Sequence, residues 1–213
     1  MLNSILGWRN IELERDKIVI SCIEKEGYVV IDDFLPRDIY FSLKQYAVYL
    51  EKENEFDKAG IGKDIEHQIK TEIRGDWVYW LSKNDQQKGV QYYFNAIDKL
   101  RALINYSFFL SLTDFEAHFA VYPIGKFYLK HRDQFKGNDI RQISLVFFLN
   151  DEWKPSDQGE LCVDNDKETK IIEPIANRLV CFKSSLEHEV LPTNAKRYSL
   201  TGWLKKESVP FID

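Results

Sequence analysis

A chain of 213 residues with 44% apolar and 14% aromatic side chains is long enough to bury a full core and too apolar to be disordered. Its net charge of −5, with no Lys/Arg-rich run, argues against a phosphate-backbone binder, so nucleic acid is a disfavoured partner. Cys22, Cys162 and Cys181 are far apart and form no C-x-x-C pair, which argues against a disulfide framework or zinc knuckle and points to free thiols in a reducing compartment. No apolar run reaches transmembrane length, and the first residues lack a basic-then-apolar leader. No membrane contact and a cytoplasmic location are therefore expected.

In chain order, ERDKIVISCIEKEG reads as an amphipathic helix stopped by Gly27, and YVVIDDF as a short strand. Pro36 opens a second helix whose Ile39, Leu43, Tyr46, Ala47 and Leu50 share one face. EKENEFDKAGIGKDIEHQIK, about residues 51–70, is an open segment that could form an ordered lid, and EIRGDWVYWL reads as strand and loop. A third helix, VQYYFNAIDKLRALINYSFFL, carries the stripe Val90, Phe94, Ile97, Leu100 and Ile104. From about Phe115 the texture changes to seven or so short strands: FEAHFAVYP, KFYLKHRD, RQISLVFFLND, ELCVDN, KIIEPIANRLVCF, HEVLPT and RYSLTGWLKK. Such punctuation predicts a β-sandwich or barrel. The expectation is one α+β domain over 1–213. About 1–110 would be helical and mixed support buttressing one face, and about 111–206 the β-half.

Chemistry has few places to reside, because the chain has four histidines, at 67, 118, 131 and 188. Composition alone gives about 0.6 His-x-acid triplets, so His131-Arg132-Asp133 carries no weight without context. On a strand, His131 and Asp133 would point the same way while Arg132 points away. Two histidines and one carboxylate are what a facial Fe(II) site requires, with three positions left open. His188, 55 residues past Asp133 at the start of another predicted strand, is the best second histidine. Alternation along RYSLTGW puts Arg197, Ser199, Thr201 and Trp203 on one side, and Tyr198, Leu200 and Leu204 on the other. An inward arginine requires a carboxylate, either an internal Asp or Glu or one end of a bound dicarboxylate. His118 shares a face with Glu116 and Tyr122 and reads as a satisfied core histidine. His67 reads as solvent-exposed, and Asp164 and Asp166 as a turn.

The ordered set YPIGKFYLKHRD, LVFFLND, GELCV, LEHEVLPT and RYSLTGW, preceded by IRGDWVYW, resembles the prolyl-4-hydroxylase-like Fe(II)/2-oxoglutarate dioxygenases over roughly residues 70 to 204. Within them it is most similar to the oxygen-sensing, hypoxia-inducible-factor type and their bacterial relatives. The resemblance implies a double-stranded β-helix, a jelly-roll, cupin-like barrel. It implies Fe(II), 2-oxoglutarate and O2 as cofactor and cosubstrates, ascorbate as reductant, and a prolyl residue of a protein or peptide as target. Carried over by residue, His131, Asp133 and His188 would hold iron, and Arg197 the distal carboxylate of 2-oxoglutarate. Tyr122 would hydrogen-bond the cosubstrate, Tyr128 and Trp203 would line its pocket, and Thr201 would hold an ordered water. Arg74 and Asp76 would lie beside the substrate. Two positions depart from the pattern. Phe148 stands where the family has a tyrosine for the distal carboxylate, a loss Ser144 on the same strand face could make good. Gln158-Gly159 stands for a Gly-Gly pair. Retention of Asp133 disfavours a halogenase. The competing readings are the same barrel acting on a free amino acid, a small molecule or nucleic acid, and a non-catalytic cupin-like binding protein. For a demethylase of nucleic acid, RYSLTGWLKK lacks a second arginine.

Overall fold

A computed structural model describes the backbone of residues 2–60, 72–134 and 139–207, and the side chains within them from residue 13 onward. Three helices precede the β-half. The first, α1 (Leu2–Glu26), ends at Gly27, whose φ of +80° lets the chain turn left-handed while its N–H donates to the Ile23 carbonyl. The second, α2 (Arg37–Lys52), starts after Pro36 and buries Ile39, Tyr40, Leu43, Ala47 and Leu50. Gln87 caps the third, α3 (Lys88–Phe108), its side-chain oxygen accepting from the Val90 N–H at 2.7 Å. Here the buried stripe runs through Tyr93 rather than Phe94, which is only half-buried at its flank.

The strands are β1 (Tyr28–Ile31), β2 (Asp57–Lys58), β3 (Trp77–Trp80), β4 (Leu112–Tyr122), β5 (Tyr128–His131), β6 (Arg141–Phe148), β7 (Leu161–Asp164), β8 (Thr169–Ile172), β9 (Leu179–Lys183), β10 (Glu187–Val190) and β11 (Arg197–Lys206). They form two antiparallel sheets, one in the order β1-β9-β6-β11-β4-β3-β2 and one in the order β5-β10-β7-β8. KIIEPIANRLVCF, one run by its apolar content, is two strands in different sheets. Pro174 and the left-handed Asn177 (φ 58°) break it between β8 and β9.

Side-chain parity separates two cores. Outward residues of the large sheet, among them Phe119, Leu145, Phe147, Leu200 and Leu204, pack with the helices. Inward ones, such as Val78, Ala120, Val146, Phe148 and Val180, meet Leu161, Val163, Ile172 and Val190 of the small sheet. The result is the expected jelly-roll, with helices laid on the back of its large sheet. At Gly202, in the middle of β11, a Cβ would come within 2.7 Å of the Glu116 carbonyl oxygen and of the Phe115 ring. Backbone cannot step aside as a flexible side chain can. Gly202→Ala is therefore expected to cost about 2–3 kcal/mol, read as a lowered midpoint in urea unfolding.

Candidate functional site

Residues of the large sheet that oppose one another across its strands form rungs, and successive inward rungs lie two residues, or roughly 7 Å, apart. One joins Arg197 and Tyr122. The next holds Phe148, Ser199, Ala120 and Val78, and the third Val146, Thr201, His118 and Trp80. The fourth holds Phe182, Ser144, Trp203 and Glu116. With His131, Asp133 and His188 from the small-sheet side, these rungs enclose a cavity of about 560 Å³. That is within the range of small-molecule sites.

The metal-ligating types converge at one end of the cavity. β10 pairs antiparallel with β5 so that His188 is directly opposite His131, which is how 57 residues of sequence close to a ring–ring distance of 4.2 Å. Asp133 reaches the same point by a route different from strand alternation. β5 stops at His131, and Asp133 lies in the bend that follows, its N–H donating to the Ser184 carbonyl. His131 Nε2 is 3.8 Å from Asp133 Oδ1, His188 Nε2 is 3.4 Å from Oδ2, and the three ligand atoms fall within 4.8 Å of one another.

Both imidazoles are held in one tautomer. Nδ1 of His131 is 2.7 Å from the Leu129 carbonyl, and Nδ1 of His188 is 3.1 Å from that of Leu186. A carbonyl only accepts, so each Nδ1 carries the proton and each Nε2 offers its lone pair. Burial, then repulsion from His188, pushes the His131 pKa down to about 4, which keeps it neutral. Burial works against the Asp133 carboxylate. His188, His131 and the hydrogen bond from Ser144 outweigh it and hold the carboxyl below its ordinary pKa.

Ser144 does not face the cosubstrate end. It shares Phe148's strand face, but four residues, about 13 Å, separate them. Its hydroxyl donates to Asp133 Oδ2 at 2.6 Å and meets Ser184 Oγ at 2.8 Å. Ser144 thus orients the carboxylate. Ser144→Ala is expected to weaken Mn(II) affinity about 10-fold to 100-fold, measured by calorimetric titration of the metal.

At the other end, Arg197 is 1% exposed. Its side chain leans down the strand, Nη1 lying 3.4 Å from Ser199 Oγ, with the guanidinium carbon 5.0 Å from the centre of each of the Tyr122 and Phe148 rings. Nε and Nη2 are buried with no hydrogen-bond partner among the described residues, and burial lowers the Arg197 pKa. Of the two sources of a carboxylate open to the sequence, an internal Asp or Glu is not used among the described residues. Gly159 makes the close packing possible: a Cβ there would lie 2.8 Å from Thr193 and 3.3 Å from Arg197 Cδ. Gln158, in place of a glycine, takes φ 54° and ψ −148°.

Arg74 and Asp76 form a two-pronged ion pair at 2.8 and 2.6 Å, and the Arg74 guanidinium stacks 4.5 Å above Tyr128, whose ring lies flat on His131 at 3.6 Å. Their segment adds to the small-sheet edge through Arg74 opposite Tyr128. Tyr122, Tyr128, Thr201 and Trp203 all line the cavity, and so does Arg132, 3.6 Å from Glu187 at the rim. His118 is buried but not satisfied: Nδ1 has no partner among the described residues. His67 and residues 61–71 of the lid segment lie outside the described residues. Ser184 and Trp80 were not found by sequence reasoning.

The donor set fits the groups the resemblance implies. Two imidazoles and a carboxylate suit Fe(II), and a buried arginine with two N–H groups unpartnered among the described residues suits a carboxylate. Among the described residues, no helix is long and apolar enough to cross a membrane.

Comparison with known proteins bears on the same residues. A solved prolyl-4-hydroxylase from Pseudomonas putida is 36% identical, with 90% of this chain and 99% of that one covered and a TM-score of 0.83. A Trichoplax adhaerens prolyl hydroxylase, solved with a hypoxia-inducible-factor peptide fragment, is 25% identical over 93% of each chain with a TM-score of 0.84. The mouse prolyl hydroxylase EGLN3 is 24% identical over 87% of this chain and 81% of its own length. Residues 117–205 match the 2OG-Fe(II) oxygenase superfamily. A bacterial relative matched along nearly its whole length, on a barrel whose inward residues supply both an iron-type ligand set and a carboxylate-seeking arginine, leaves one assignment: the chain belongs to the 2OG-Fe(II) oxygenase superfamily and is a 2-oxoglutarate-dependent dioxygenase.

Proposed function

We propose that the protein hydroxylates a C–H bond of a prolyl residue in a protein or peptide, consuming 2-oxoglutarate and O2 and releasing succinate and CO2. The observation that carries this reading is the meeting, in one cavity, of the His131–Asp133–His188 cluster with Arg197, a buried cation whose Nε and Nη2 lack partners. The prolyl target is supported by the relatives named above, two of them prolyl hydroxylases matched over about nine-tenths of this chain.

In this reading His131 Nε2, His188 Nε2 and the Asp133 carboxylate hold Fe(II) on one face. Arg197 receives the distal carboxylate of 2-oxoglutarate, with Ser199 supplying beside it the hydroxyl that Phe148 cannot. When bound, Fe(II), 2-oxoglutarate and O2 would supply the oxidising chemistry, decarboxylation to succinate providing the electrons for oxygen insertion into C–H. The chain's part is placement and exclusion of water. Tyr122 keeps its hydroxyl protonated, because burial raises its pKa, and so offers the cosubstrate a donor. Tyr128 and Trp203 wall the metal end, Thr201 holds a water, and the rigid Arg74–Asp76 pair shapes the substrate side. Ascorbate is the reductant expected to sustain turnover, and the free thiols support a cytoplasmic setting.

The test is incubation of candidate protein partners with the enzyme, Fe(II), ascorbate and 2-oxoglutarate under 18O2, followed by peptide mass spectrometry. One labelled oxygen on a prolyl residue, formed in step with succinate, is expected. Succinate formed in step with oxidation of a free amino acid, with protein prolines untouched, would sink the prolyl assignment.

A further inference from the structure

Among the described residues, His118 is the one cavity histidine that the metal chemistry does not use. It is 2% exposed, on the rung it shares with Thr201 and Trp80. Its ring lies 4.7 Å from that of Trp80 and 5.4 Å from that of Trp203. Trp80 is 53% exposed and forms the outer lip, while Trp203 reaches inward towards Asp133. His118 therefore stands between the mouth and the metal ligands, along the path of a substrate chain entering the cavity.

The imidazole is neutral. Burial first, then the nearby cations Arg74 and Arg141, against the carboxylates Asp76 and Asp133, push its pKa down to about 3. A neutral imidazole has one N–H to place. Nδ1 is shut away without a partner, whereas the ring's other nitrogen is the one left to the cavity it lines. Putting the proton on Nε2 leaves only a lone pair stranded at Nδ1 and turns the donor to where a ligand can meet it. A donor at this point selects what the substrate must carry. A prolyl residue has no amide N–H of its own, so what its backbone presents on both sides of the ring is carbonyl oxygen. The exposed Trp80 ring beside the donor suits the apolar pyrrolidine itself.

We infer that His118 is a substrate-positioning residue, donating its Nε2 hydrogen to a backbone carbonyl oxygen adjoining a prolyl ring that packs on the exposed Trp80. The inference rests on the prolyl reading above. It adds that recognition depends on a peptide carbonyl, and it gives a task to a buried polar group that otherwise has none.

The test uses a library of capped peptides, each with one central proline, and compares the full-length wild type with His118→Phe and His118→Gln. Oxidised peptide is quantified by mass spectrometry, and 2-oxoglutarate affinity of the Mn(II)-loaded proteins by calorimetry. His118→Phe keeps the aromatic shape and loses the donor. It should lower kcat/KM about 10-fold to 100-fold while 2-oxoglutarate affinity stays within about twofold. His118→Gln, which can still donate, should recover part of the loss. Wild-type efficiency in His118→Phe overturns the inference. So does a parallel loss of 2-oxoglutarate affinity, which would place His118 with the cosubstrate, and so does a glutamine variant no better than phenylalanine. If the wild type oxidises none of the prolyl peptides, the prolyl reading itself falls and the inference falls with it.

Discussion

Replacing Arg197 with methionine should raise the stability of the cofactor-free protein by about 1–3 kcal/mol and at the same time weaken 2-oxoglutarate binding at least about 100-fold. The two effects have one cause. Arg197 is a buried cation with Nε and Nη2 unpartnered and Ser199 as its one hydrogen-bond neighbour, at 3.4 Å. A charge so placed is costly until an anion arrives, and methionine of similar length fills the slot between Tyr122 and Phe148 without that cost. Urea unfolding of the apo-protein and calorimetric titration of 2-oxoglutarate into the Mn(II)-loaded protein read the two halves separately. An arginine held for structure alone would give the reverse pattern: lower stability, with cosubstrate affinity intact.

Asp133→Asn should reduce metal affinity about 100-fold to 1,000-fold, one ligand's share of the roughly 10–16 kcal/mol that a complete protein metal site can supply. The substitution preserves size and removes the charge. It also disturbs the hydrogen bond from Ser144, whose hydroxyl donates to Oδ2 at 2.6 Å. Titration with Mn(II), followed by electron paramagnetic resonance of the free ion, gives the affinity directly. Unchanged metal binding in Asp133→Asn would remove the carboxylate from the site.

How far these residues could be read in advance depended on how local their geometry is. The inward set Arg197, Ser199, Thr201 and Trp203 follows from strand alternation alone, and the structure places all four on the cavity wall. The stripes of α2 and α3 were legible for the same reason, with the edge position at Tyr93 and Phe94 decided by what the helix packs against. Asp133 arrived where alternation put it, but through a bend held by the Ser184 carbonyl, a contact across 51 residues that no local pattern encodes. Ser144 shows the complementary failure. Parity gave its face, while its depth along β6, and so its partner, depended on the register with β9 and β11. His118 was read as a satisfied core residue because burial is local information, whereas an empty hydrogen-bonding position is a property of everything around it. The order of the two sheets, which brings His188 opposite His131, is long-range pairing throughout.

The most direct measurement is a crystal structure of the protein with Mn(II) and 2-oxoglutarate under anaerobic conditions. The account predicts metal bound by His131 Nε2, His188 Nε2 and the Asp133 carboxylate, with the distal carboxylate of 2-oxoglutarate on Arg197 Nε and Nη2 beside Ser199. Metal held by other residues, or a cosubstrate whose distal carboxylate leaves Arg197 unpaired, would contradict it.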